Sequence, residues 1–159
     1  MGCIALESAG MEEVLDLVHG RCGANIELKG DGTAIPVARA LKKGIEGGRW
    51  KRENILVSSF SPVELKDFSD EETGIDTAIL VDRSPWGSEE FAGMMGCVAV
   101  HPNIEYIDRK FVERCVEMGL SVNVWTVNDE EAIDRCLSMG IGGLITDDVE
   151  LTVRKVKSN

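Results

Sequence analysis

Short apolar runs that alternate every second residue take turns with longer stretches whose apolar positions recur every three or four residues. That rhythm predicts strands separated by helices, the pattern of a parallel sheet with helical crossovers, so the fold class is α/β. Val14, Leu15, Leu17 and Val18 mark one apolar helix face between Gly10 and Gly20, and residues 24–28 then read as a strand. Pro36, favourable in a first turn, opens a helix that runs to Glu46, where Gly47-Gly48 stops it. Residues 55–60 form the next strand. In Ser61-Pro62-Val63-Glu64 the serine is placed to cap, the proline to start and the glutamate to reach back, so a helix begins there.

Further strands are expected at 78–81, 97–100, 121–127 and 143–146. Helices are expected at 88–95, 108–118 and 128–139, the last with Glu131 completing a capping box, followed by a carboxyl-terminal helix. Cys115-Val-Glu-Met-Gly119-Leu120 and Cys136-Leu-Ser-Met-Gly140-Ile141 echo each other. Equivalent helix-to-strand turns demand equivalent residues, and a relic of duplication is the alternative.

The 159 residues suit one compact domain spanning 1–159, and no linker or low-complexity tract interrupts them. Acidic side chains outnumber basic ones, 28 to 17, which argues against a nucleic-acid partner because polyanions are bound through a basic footprint. No apolar stretch approaches the ~20 residues needed for a membrane span. The amino terminus lacks a secretory signal, and Met1-Gly2-Cys3 fails as a myristoylation signal because Leu6 stands where Ser or Thr is required. The five cysteines are odd in number, without paired CxxC spacing, and read as reduced thiols of a cytoplasmic protein.

Six strands fall short of the eight in a closed (β/α)8 barrel, which typically needs ~250 residues. Length alone favours a complete doubly wound sheet.

On the first strand, alternation sends Asn25, Glu27 and Lys29 to one face and Ile26 and Leu28 to the other. A carboxylate and an ammonium two residues apart suit a metal ion and the anion it binds, or simply an ion pair at a strand end. Asn123, Trp125 and Val127 share a face of a later strand, and Trp125 near its end is placed either to wall a ligand pocket or to join the core. Ser58-Ser59-Phe60 ends a strand where hydroxyls meet either a ligand or the backbone of the next helix. His19 closes a helix at the surface, and His101 precedes a proline at a strand end. No Ser/His/Asp or Cys/His grouping, dinucleotide cradle or P-loop is present.

Asn25-Ile-Glu-Leu-Lys29, Ile55-Leu-Val-Ser-Ser-Phe60, Val100-His-Pro102, Val122-Asn-Val-Trp-Thr-Val-Asn128 and Gly142-Gly-Leu-Ile-Thr-Asp147 occur in one order. That order resembles the glycerophosphodiester phosphodiesterase family, from about Met11 to the last helix. The resemblance implies a TIM-type barrel in place of the open sheet, here incomplete, with about six of eight βα units and parallel strands. It implies metal-dependent hydrolysis of glycerophosphodiesters to glycerol 3-phosphate and an alcohol.

By the same resemblance Glu27 is the metal ligand, Lys29 contacts the phosphate, Trp125 lies near the glycerol and Phe60 belongs to the apolar wall. The implied metal is calcium or magnesium, whose preference is for hard oxygen donors. The family's His-Arg-Gly strand, Glu-x-Asp strand and second histidine have no counterpart in this sequence. The expectation is therefore a chain with little or no diesterase activity alone, needing a complementing fragment, or a non-catalytic module that binds a phosphorylated ligand or a protein. An incomplete barrel exposes strand edges, so a homo-oligomer or a complementing chain is expected as partner.

Overall fold

The computed structural model describes residues 10–158, so Met1-Gly2-Cys3 lies outside the described residues. The chain divides into two compact units, one ending at Thr77 and the other beginning at Ala78.

In the first unit, α1 (Met11–Val18), α2 (Ala34–Glu46) and α3 (Pro62–Asp70) accompany β1 (Ala24–Leu28) and β2 (Ile55–Ser59). The two strands pair in parallel, with Ile26 opposite Val57 and Glu27 opposite Ser58. Side chains alternate across a strand, so this register sorts the residues into two faces. Ile26, Leu28, Ile55 and Val57 join Leu15, Ala38, Leu41, Trp50 and Phe68 in one apolar cluster. Glu27 and Ser58 are left on the opposite face, which carries the candidate site. Ser61 caps α3 as its sequence predicts, its Oγ accepting from the Glu64 backbone N–H at 3.3 Å, with Pro62 in the first turn.

α2 begins two residues before Pro36, and its N-cap Thr33 makes no side-chain cap. The missing cap comes from elsewhere in the chain: Glu64 does not reach back to Ser61 but accepts from the N–H groups of Gly32 and Ala34. The Ser61 N–H is already taken by Ser59 Oγ at 3.1 Å, which frees the glutamate for this work.

The second unit holds most of β3 (Asp76–Val81), then β4 (Ala99–Pro102), β5 (Ser121–Val124) and β6 (Gly143–Leu144). Within it β3 pairs with β4, β4 with β5 and β5 with β6, all in parallel. The accompanying helices are α4 (Ser88–Met95), α5 (Arg109–Glu117), α6 (Glu130–Met139) and α7 (Val149–Ser158). Phe111, Val112 and Cys115 of α5 and Ile133 and Cys136 of α6 are buried, as are Val100, Val122 and Val124 of the strands. These are the faces that helical and strand periodicity single out.

Two expectations for this unit need correction. β5 ends at Val124, so Val127 leaves the face of Asn123 and is fully buried, while Thr126 is exposed. Asp129, not Asn128, caps α6 by accepting from the Ala132 N–H at 2.8 Å, which shifts Glu131 out of capping-box register. The Asn128 side chain instead holds the turn after β6: its Oδ1 accepts from the Asp147 N–H at 2.9 Å, and its Nδ2 donates to the Asp147 carboxylate at 2.8 Å. The echoed Gly119 and Gly140 both adopt φ near +76° (76° and 77°), and Gly96 after α4 follows at 69°. One local turn that only glycine adopts readily thus recurs after three helices, which accounts for the echo.

Candidate active site

In the first unit, Glu27 and Lys29 come off the same face of β1 and its end. The Lys29 ammonium lies 3.6 Å from a Glu27 carboxylate oxygen, with 78% of the lysine side chain and 30% of the glutamate side chain exposed. At that exposure water screens the pair, so both groups remain available to a ligand. Phe60 follows β2 directly and is exposed.

The two serines before it part company. Ser59 Oγ donates to the Leu28 carbonyl at 2.8 Å and accepts from the Ser61 N–H, a wholly local use. Ser58, beside Glu27 across the strand pair, is buried and its hydroxyl has no partner among the described residues.

Sequence reasoning missed the part played by Glu64. It is buried, with Oε1 accepting from Gly32 N at 2.6 Å and Oε2 from Ala34 N at 2.7 Å and from Thr33 Oγ1 at 3.2 Å. The backbone N–H groups of Gly32 and Ala34 hold its carboxyl below the usual range. Its spacing from Ser61 signalled a cap, but only the register of β1 and β2 shows which helix it serves.

In the second unit, Trp125 follows β5 and is half-buried, its indole N–H donating to the His101 carbonyl at 2.7 Å. Its backbone bridges to Asn103, so main chain holds both the backbone of Trp125 and its indole N–H. His101 lies within β4 and is 1% exposed. Burial pushes its imidazole down to about 4, so it is neutral at pH 7. His19 caps the end of α1 and is exposed.

Among the described residues, no three His, Cys, Asp or Glu side chains come together in a way that would hold a metal ion. Calcium takes 6–8 oxygen ligands and magnesium an octahedron, whereas Glu27 offers one carboxylate, already facing an ammonium. The residues present do not by themselves fit a calcium or magnesium site.

The model of the glycerophosphoryl diester phosphodiesterase family matches residues 10–151. The chain belongs to this family. A glycerophosphodiester phosphodiesterase of Caldanaerobacter subterraneus is 28% identical over 84% of the chain and 55% of its own length. One of Bacillus altitudinis is 29% identical over 86% of the chain and 58% of its own length. The chain therefore spans a little over half the length of these curated relatives.

Among solved structures, the glycerophosphodiester phosphodiesterase of Thermotoga maritima superposes with a TM-score of 0.69 at 27% identity, over 92% of this chain and 63% of that one. A phosphodiesterase of Oleispira antarctica, solved in complex with its product sn-glycerol 3-phosphate, gives 0.75 at 21% identity, over 85% of this chain and 55% of that one. The α/β fold with parallel strands is that of an incomplete TIM-type barrel, as the sequence resemblance implied and against the open sheet that length alone favoured.

Proposed function

We propose that this chain carries the phosphate- and glycerol-facing part of a glycerophosphodiester-hydrolysing site. The observation that carries this reading is the Glu27–Lys29 pair, solvent-facing at the end of β1 in a chain that matches the family from residue 10 to 151. In the first unit Lys29 offsets phosphate charge and Phe60 supplies apolar contact; in the second unit, taken by itself, Trp125 is assigned contact with a glycerol group. Glu27 contributes one oxygen toward calcium or magnesium, and no catalytic step is assigned to that ion because the donor set is too small.

Hydrolysis needs one group to take a proton and another to protonate the leaving oxygen, each within hydrogen-bond reach. His101 is buried and neutral, and His19 stands exposed at a helix end, so neither serves. On this reading the 159 residues bind the phosphorylated product in the cytoplasm without turning over substrate by themselves, and the proton-transferring groups are supplied from outside them. The second reading, a non-catalytic module for a phosphorylated ligand, is favoured by the same burial of His101.

The test is an NMR titration of the 159-residue chain with sn-glycerol 3-phosphate, beside a glycerophosphocholine assay and sedimentation. Saturable binding that weakens about tenfold in Lys29→Met, with no hydrolysis and with concentration-dependent association, is the expected result. Absence of binding would overturn the ligand assignment. Hydrolysis abolished by Glu27→Ala would overturn the claim that the chain is inactive alone.

A further inference from the structure

We propose that Glu64 is a positioning residue, which clamps the loop following β1 to the first turn of α3 and so fixes Lys29 for its phosphorylated ligand. The inference rests on the phosphate-facing reading of Lys29 given above. Lys29 is followed by Gly30-Asp31-Gly32, a segment with two glycines that loses more backbone freedom on ordering than any other residue pair would. Such a loop needs an external hold. Thr33, at the N-cap of α2, supplies none toward the helix, because its hydroxyl faces the Gly30 carbonyl at 2.7 Å and Glu64 at 3.2 Å.

The hold comes from the Glu64 carboxylate, which takes the N–H groups of Gly32 and Ala34 and shares the Thr33 hydroxyl. Those N–H groups are orphan donors at a helix N-terminus, where negative charge is favourable. Glu64 is itself fixed on both sides. Its own N–H donates to Ser61 Oγ, and the Ser61 N–H donates to Ser59 Oγ, which in turn donates to the Leu28 carbonyl next to Lys29. A closed circuit of hydrogen bonds thus joins the end of β1, the end of β2 and the first turns of α2 and α3. Because Glu64 fills the N-terminus of α2, a ligand anion is left to Lys29 instead of the helix end.

Glu64→Gln keeps the shape of the side chain but turns an amide NH2 toward one of two backbone donors, which opens the clamp. The experiment measures sn-glycerol 3-phosphate affinity by NMR in the wild type, Glu64→Gln, Lys29→Met and the double variant, with a urea midpoint for each. The expected result is an affinity loss of about fivefold in Glu64→Gln at a native-like midpoint, and a double variant no weaker than Lys29→Met alone. Should Glu64→Gln fail to fold, Thr33→Val removes one of the three donors and is expected to give a smaller loss with the same non-additivity. Wild-type affinity in Glu64→Gln, or losses that add to those of Lys29→Met, would overturn the proposal. No binding by the wild type would overturn the phosphate-facing reading, and this inference with it.

Discussion

The Nε2 atom of His101 lies 2.9 Å from the side-chain nitrogen of Asn123, on the neighbouring strand. Asn123 Oδ1 faces the Ser121 hydroxyl at 3.2 Å, so the amide nitrogen is the donor and Nε2 the acceptor. The imidazole proton then sits on Nδ1, which is buried and has no partner among the described residues. A second proton has no favourable place in the fold, and burial lowers the histidine to about 4 from its ordinary 6.5.

This fixes a pH dependence. Above about 6.5 the histidine is neutral whether the chain is folded or unfolded, and it does not alter stability. Between 6.5 and 4 only the unfolded chain takes up the proton, so stability falls as pH falls, by roughly 3 kcal/mol at about 1.4 kcal/mol per unit. Urea unfolding at pH 7 and pH 4.5 measures the loss. His101→Gln is expected to flatten the profile, and an unchanged slope would count against the buried neutral imidazole.

Trp50 is held from three sides. Its indole N–H donates to Asp16 at 2.9 Å, the Arg49 guanidinium lies 4.7 Å from its ring centroid, and its six-membered ring covers Gly44. A Cβ at Gly44 would meet Trp50 Cζ3 at 2.2 Å. Alanine in mid-helix ordinarily stabilises by about 1 kcal/mol, but overpacking of a core costs about 1–3. Gly44→Ala is expected to lower the urea midpoint and to perturb the tryptophan fluorescence, and a rise in stability would refute the packing.

Asp129 caps α6, and Glu131 does not close a box with Asn128. Asp129→Ala is therefore expected to cost about 1 kcal/mol, and Glu131→Ala less than about half of that. Thermal unfolding of the two variants distinguishes this arrangement from the one that Asn128 as cap would give, which predicts the reverse.

Most elements were legible because their signals are local. Ser61-Pro62, Asp108 and the glycines after α4, α5 and α6 sit beside the turns they make. The start of α2 was not legible, since its cap is Glu64, thirty positions beyond Ala34. The facing of Glu27 with Lys29 follows from alternation within one strand. The division between Ser58, which faces Glu27, and Ser59, which serves the backbone, needs the register of two strands and is invisible in one. Trp125 extends the pairing of β5 past Val124 through its bonds with Pro102 and Ile104, and the alternation fails only at Thr126, which is exposed, and Val127, which is buried; no short sequence window contains those partners.

The hydroxyl at position 59 has a bearing on how this sequence can drift. Were it lost, the amide of residue 61 would fall vacant and compete for the carboxylate at 64, drawing it home to its own helix and unroofing the neighbouring one. Tolerated change at either place should thus arrive in tandem, a covariation between two sites that share no direct bond.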